Sequence, residues 1–414
     1  MVAGMIGGGE RKRVPNPHTQ RLRVPNVTEI DYRALRKNRL ARLHATMKQH
    51  DIPICLFYNP GNIRYATGCD VMGVWTASTL ARYCLVAVDR DPVLFEYPNS
   101  VHVAQKLVRD VRPALSWQYG ATEGYGNARK WAESVKGVMA ELGCAGAPLA
   151  VDKLDGYGFM ALQDLGIKIT DPSPATVDAR EVKTPEEVQL MILNGAIADA
   201  VLARFESEIR PGIREYELLA AANDTLFKMH GEFMFTRLIA TGPNTNPWMS
   251  EAHDKIVQPG DLVGIDTDAN GYEGYVLDVS RTFLCGDEGT PAQKEAYRIA
   301  YDCVNGMREL MKPGMSFAEF SHAAPKLPEG YVNERYGTMC HQAGLEDEGP
   351  GIPYPDKAKK GIPNRVIREN MVFCLECYAG RDGEMFGVKL EDQVLVTATG
   401  AVSLNTYHFE KKLL

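Results

Sequence analysis

The chain has 414 residues, 45% of them hydrophobic and 24% charged, with a formal net charge of -7 at pH 7 and a pI near 5.8. That length accommodates two domains with cores of their own, and the acidic balance argues against an electrostatic nucleic-acid binder, which carries a basic face. The longest apolar runs fall well short of the roughly 18 to 20 residues that a membrane span needs, so neither nucleic acid nor membrane is expected as a partner. Nine cysteines without a repeating spacing read as reduced, mostly buried thiols of a cytoplasmic protein.

In chain order, residues 1-26 are Gly-rich, basic and then Pro-punctuated, without the apolar run of a signal peptide, and read as a disordered lead. Thr28 is placed to cap a helix to about Gln49, with Ile30, Leu35, Leu40, Leu43 and Met47 on roughly one face. Ile52 to Tyr58, Tyr83 to Val88 and Pro92 to Tyr97 read as strands, Asn127 to Leu142 as an amphipathic helix, and Leu149 to Val151 and Ile167 to Thr170 as further strands. Strands alternating with helices define an α/β domain over residues 27-180. Thr184-Pro185-Glu186-Glu187 then supplies an N-cap, a Pro at the first helical position and a capping-box Glu. This opens a long helix to about Ile209 and a second domain over residues 181-414. It continues with a helix Glu215 to His230, a strand near Thr236 to Thr241, and helices Pro291 to Met311 and Phe317 to Ala324.

The chemistry concentrates in this second part. Leu262 to Ile265 and Tyr275 to Phe283 flank the turn signal Ala269-Asn270-Gly271 and read as a hairpin carrying Asp266, Asp268 and Asp278. Strand ends commonly carry solvated Asp, but Asp278 stands inside an apolar run, where an unpaired carboxylate is costly. Glu376 lies in Met371 to Tyr378 and Glu391 in Val388 to Val396, and His341 stands in Thr338-Met339-Cys340-His341-Gln342-Ala343-Gly344. Singly each has a structural explanation; Glu391, for one, could pair with Lys389 across a strand surface. Together they form an oxygen-rich donor set with one imidazole, suited to divalent metal. Cys374 and Cys377 are three apart on a strand and point to opposite faces, so they do not share a metal or disulfide.

The order Asp, Asp, His, Glu, Glu resembles the pita-bread metallopeptidases: methionine aminopeptidase, aminopeptidase P, prolidase and creatinase. The resemblance implies an α/β (α+β) chain, with a creatinase-like N-terminal domain before a pita-bread catalytic domain. It also implies two divalent transition-metal ions held by Asp266, Asp268, Asp278, His341, Glu376 and Glu391, with iron or zinc favoured and manganese or cobalt compatible.

Two peptidase histidines are missing. Trp248 in Gly242-Pro243-Asn244-Thr245-Asn246-Pro247-Trp248 occupies the place of one, and Asp347 in Leu345-Glu346-Asp347-Glu348 stands where the other belongs. Asp266-Thr267-Asp268 carries an acid where the peptidases have Gly. With Lys389-Leu390-Glu391-Asp392-Gln393-Val394-Leu395, Thr406-Tyr407 and Asn62-Ile63-Arg64-Tyr65-Ala66-Thr67, these features are similar to the dimethylsulfoniopropionate (DMSP) lyases of the DddP type. Gln342 and Gly349 depart from that group, which has Gly and Trp there. The likeness implies a small sulfonium carboxylate as substrate, Asp347 as general base, Trp75 and Tyr336 as substrate contacts and a homodimer. Trp248 is a further candidate for packing on the sulfonium. Asp347 read from spacing alone could equally be a solvated loop acid. A metal-dependent Xaa-Pro peptidase of the same fold is the competing reading, and a catalytically inactive binding module is a third.

Overall fold

The computed structural model describes residues 22–70, 80–118 and 124–414. The N-terminal part runs α1 (Tyr32–Gln49), β1 (Ile54–Phe57), α2 (Pro60–Thr67), β2 (Tyr83–Ala87), β3 (Val93–Glu96), α3 (Val101–Ala104), β4 (Asp110–Pro113), α4 (Gly124–Glu141), β5 (Leu149–Val151), α5 (Gly156–Asp164), β6 (Ile169–Thr170) and α6 (Ser173–Glu181). Its strands make one sheet in the order β4-β3-β2-β1-β5-β6, mixed because β1 pairs antiparallel with β2 and parallel with β5. Thr28 does not cap α1. It lies in a single 3-10 turn capped by Asn26, and Asp31 accepts from the N–H groups of Arg33 and Ala34 to start the helix. Sequence pattern missed α2, because every residue from Gly61 to Thr67 is buried and no polar face is left to reveal a helical period.

The second part runs α7 (Pro185–Glu208), α8 (Glu215–Lys228), β7 (Phe233–Met234), β8 (Ile239–Thr241), β9 (Leu262–Asp266), β10 (Ala269–Asn270), β11 (Val276–Leu277), β12 (Ser280–Leu284), α9 (Pro291–Leu310), α10 (Phe317–Ala323), β13 (Thr338–Ala343), β14 (Asp347–Pro353), β15 (Val372–Gly380), β16 (Gly387–Val396) and β17 (Ala401–Ser403). Thr184 and Glu187 cap α7 reciprocally, as the sequence predicts. By length and composition α7 is apolar enough to cross a membrane, contrary to the reading of apolar runs. Here Leu190 and Met191 pack in one core and Val201, Leu202 and Phe205 in another.

Two antiparallel sheets face each other with helices outside. The order β14-β13-β15-β16-β17 carries α9 and α10 through a core that includes Tyr297, Met307, Phe317, Phe320, Phe373 and Leu375. The order β12-β9-β8 carries α7 and α8 through Leu202, Phe205, Leu218, Ile239, Val263 and Phe283. Thr282 stitches the sheets together: its hydroxyl donates to the Lys389 carbonyl at 2.9 Å and accepts from the Lys389 N–H at 3.2 Å. The expected α/β chain with a pita-bread half is thus the architecture observed.

The predicted single hairpin divides. β9 pairs with β12, whereas β10 pairs with β11 and β7 in a separate small sheet. Asp278 therefore sits in the break between β11 and β12 rather than inside a continuous strand. The Thr267 hydroxyl bridges that break, accepting from the Val279 N–H at 2.9 Å and donating to the Leu277 carbonyl at 3.1 Å.

Candidate active site

Each acid reaches one cavity of about 630 Å³ from a different element. β9 ends in Asp266, and Asp268 follows at φ 28°, a backbone region that Asp tolerates better than most residues. Asp278 enters from the break after β11, His341 from β13, Glu376 from β15 and Glu391 from β16. Glu376 and Glu391 are direct cross-strand partners, so the pleat turns both carboxylates to the same face. All six predicted ligand residues line this cavity, together with Tyr336 and Asp347.

The electrostatics are those of acids crowded out of water. Burial pushes the Asp268 pKa up to about 7, with Asp266 adding to it. Burial, opposed by Lys389, leaves Glu391 at about 8. Burial and neighbouring Glu391 hold Asp278 well above the carboxylate range. Burial also works against ionisation of Asp266, but Lys389 and hydrogen bonds outweigh it and keep that group low. His341 Nε2 lies 3.2 Å from Asp278 Oδ2; burial disfavours the imidazolium, yet Asp278 holds it well above its ordinary range.

The donor set passes a direct test of fit for metal. Asp266 Oδ1, Asp278 Oδ1 and Glu391 Oε1 are buried without a hydrogen-bond partner, an arrangement costly unless a cation supplies the missing contact. Ligand atoms of Asp266, Asp268 and Asp278 lie within 4.8 Å of one another, as do those of Asp278, His341, Cys374 and Glu391. These residues could hold divalent cations.

Two neighbours escaped the sequence reading as members of the site. Cys374 lies two residues before Glu376 on the same strand face, so period two was the available signal. Lys389 does pair with Glu391, at 2.8 Å, but in the interior and not on a surface; its ammonium also reaches Asp266 at 3.0 Å and Glu376 at 3.1 Å. It sits 5.0 Å from the centre of the Tyr336 ring. Being two residues from Glu391, it too had to share that face.

Asp347 opens β14 and is exposed to the cavity. Burial, with opposing His341 and reinforcing Asp266 and Glu376, raises its pKa to about 6. Trp248 is not among the cavity-lining residues. It packs behind Leu238 with Ala240 and Tyr378, and a Cβ on Gly264 would lie 2.9 Å from its ring. Its expected sulfonium contact is corrected: Met249, next in sequence, lines the cavity instead. Trp75 lies outside the described residues. Gln342 is fully buried on the far side of β13 from His341, whereas Gly349 lines the cavity with no atom within 4 Å of where its Cβ would stand. Of the two departures, Gly349 borders the cavity directly, while Gln342 Nε2 donates to the carbonyl of the adjoining Pro350 at 3.3 Å.

Comparison with known proteins agrees with this geometry. The model of metallopeptidase family M24 matches residues 189–398, and that of the creatinase/prolidase N-terminal domain matches residues 39–182. The chain is 32% identical over 400 residues to the dimethylsulfoniopropionate lyase DddP of Roseovarius nubinhibens, spanning 93% of this chain and 88% of the relative. It is 30% identical to the DddP of Roseobacter denitrificans, over 96% and 90% of the two chains. Among solved structures, the prolidase of Pyrococcus horikoshii OT3 superposes with a TM-score of 0.72 at 23% identity, covering 90% of this chain and 99% of that one. With both domains matched and the acid-lined cavity in place, this chain belongs to metallopeptidase family M24, in the branch that holds the DddP proteins.

Proposed function

We propose that the protein is a metal-dependent carbon–sulfur lyase that cleaves DMSP to dimethyl sulfide and acrylate. The observation that carries the reading is that Asp347, with a pKa near 6, lines the same cavity as the metal-fitting cluster. Similarity to the two DddP proteins over 93% and 96% of this chain supports it. Asp266, Asp268, Asp278, His341, Glu376 and Glu391 would hold two divalent ions. Bound there, the ions would supply Lewis acidity toward the substrate carboxylate, making the adjacent C–H more acidic.

The protein's own residues account for the rest. Ionised Asp347 takes a proton from the carbon next to the carboxylate; the released pair forms the carbon–carbon double bond as the carbon–sulfur bond breaks. Dimethyl sulfide leaves as a neutral molecule with that bond pair, acrylate keeps its carboxylate, and the proton passes from Asp347 to cavity water. A pKa near 6 suits the task, leaving the base ionised at neutral pH yet stronger than an ordinary Asp. Tyr336 offers an aromatic face to the sulfonium, a contact of about 0.5–2 kcal/mol when desolvated.

The test is headspace measurement of dimethyl sulfide from purified protein given DMSP, with and without a chelator. Release that stops with chelator and returns with added iron or zinc supports the proposal. A metal-loaded protein that releases none and instead cleaves an Xaa-Pro dipeptide would establish the peptidase reading.

A further inference from the structure

Asp347 is flanked by two glutamates, Glu346 and Glu348, and both are tied to the stretch of chain joining the two domains. As β14 begins, Asp347 and Glu348 both border the cavity, and Glu346 stands just before the strand. Arg180, in the last turn of α6, places Nη1 2.9 Å from Glu346 Oε2 and Nε 3.4 Å from Glu348 Oε1. Lys183, between α6 and α7, donates to Glu348 Oε2 at 2.8 Å and to the Arg180 carbonyl at 2.7 Å. From the N-cap of α2, Asn59 Nδ2 donates to Glu346 Oε1 at 2.6 Å. Glu348 Oε1 also accepts from the Leu345 N–H at 3.2 Å, closing the loop around Asp347 on itself.

The packing leaves little slack. Lys183 and Glu348 have side chains 1% and 4% exposed, so neither can turn to water for a partner. A Cβ on Gly61 would fall 2.8 Å from the Glu346 carboxyl carbon, and one on Gly344 would fall 2.3 Å from Glu348 Oε1. Glycine at both places lets the chain approach the glutamates this closely. Burial of both partners makes this pairing unlike a surface ion pair, which fixes little.

We infer that Arg180 and Lys183 are positioning residues for Asp347: by gripping the glutamates on either side, the inter-domain joint sets where the base stands over the cavity. This rests on Asp347 being the base. A base displaced by an ångström loses much of its rate without any change in the groups that bind substrate. The N-terminal domain thereby contributes to the elimination without touching the substrate through these residues.

The test uses the full-length, metal-loaded protein carrying Arg180→Gln, Arg180→Lys, or Lys183→Met combined with Glu348→Gln. The double variant removes the buried pair together, so that no lone charge is left to unfold the protein. Asp347→Asn is the control for the base reading. For Arg180→Gln and for the double variant, kcat for dimethyl sulfide release should fall by roughly 10- to 100-fold, with KM and metal content near wild type. Arg180→Gln should also move the acid limb of the pH–rate profile upward, because an uncompensated Glu346 makes Asp347 harder to ionise. The titratable groups around Asp347 include His341, Asp266, Glu376 and Glu346, and Asp268 and Cys374 also feel its charge. Arg180→Lys should recover part of the loss. Folded, metal-replete variants with wild-type kcat and an unmoved acid limb would overturn the inference while Asp347→Asn stays inactive. An active Asp347→Asn would instead remove the base reading on which it stands.

Discussion

Filling the acid cluster with metal should expel protons, and their number follows from the site. At pH 7 Asp268, with a pKa near 7, holds about half a proton, and Glu391, near 8, holds most of one. Asp278 and His341, 3.2 Å apart, are both shifted toward their protonated forms. A metal ligand must give up its proton, so loading should release more than about one per chain at pH 7. Apparent affinity should then rise steeply with pH around neutrality and fall as pH drops below 7. The sign for stability runs the other way in the metal-free protein. These carboxyls keep protons that the unfolded chain loses near pH 4, so each pKa raised on folding lowers stability progressively from about pH 4 up to 7 or 8. Metal should cancel that loss. The assay is calorimetric titration of zinc or manganese into chelator-stripped protein, in two buffers of different ionisation enthalpy. The difference in heat counts the protons. Heats independent of buffer at pH 7 would mean that the acids are already ionised, and the argument from crowding and burial would fail.

Asp347→Asn, which keeps size and polarity but cannot accept a proton, should cut dimethyl sulfide release by ~10²–10⁴-fold; elemental analysis should find metal unchanged, and a loss of metal would make Asp347 a ligand. Lys389→Met strips the ammonium from Asp266, Glu376 and Glu391 and should destabilise the metal-free protein by about 3–5 kcal/mol in urea titration; an unchanged midpoint would show that the acids need no internal cation. Tyr336→Ala should raise KM for the sulfonium substrate by roughly 2- to 30-fold, matching about 0.5–2 kcal/mol, with metal content unaffected; unaltered kcat/KM would remove it as a contact. Asp392 is fully buried between Arg281 at 2.8 Å and Arg308 at 3.2 Å, so Asp392→Ala should cost about 3–5 kcal/mol of stability, read as a lowered denaturation midpoint.

Much of the site could be read from the sequence because the acids stand where acids are costly. Glu376 and Glu391 interrupt apolar runs, and that conflict is visible without coordinates. The start of α7 was equally plain, since Thr184, Pro185 and Glu187 act within one turn. What the sequence could not say is which strand face meets which. Period two puts Lys389 beside Glu391, but only the packing of β12 against β16 turns that face inward and brings the ammonium to Asp266, 123 positions away in sequence. Trp248 looked like a substrate contact from its place in a motif, whereas its ring lies against Gly264 because the loop folds it behind the cavity wall. Nothing in the sequence ties Glu346 and Glu348 to Arg180 and Lys183, because that hold depends on two domains meeting. Local chemistry is written in neighbouring residues; the pairing of buried charges is set by contacts between distant ones, and only the tertiary fold determines those.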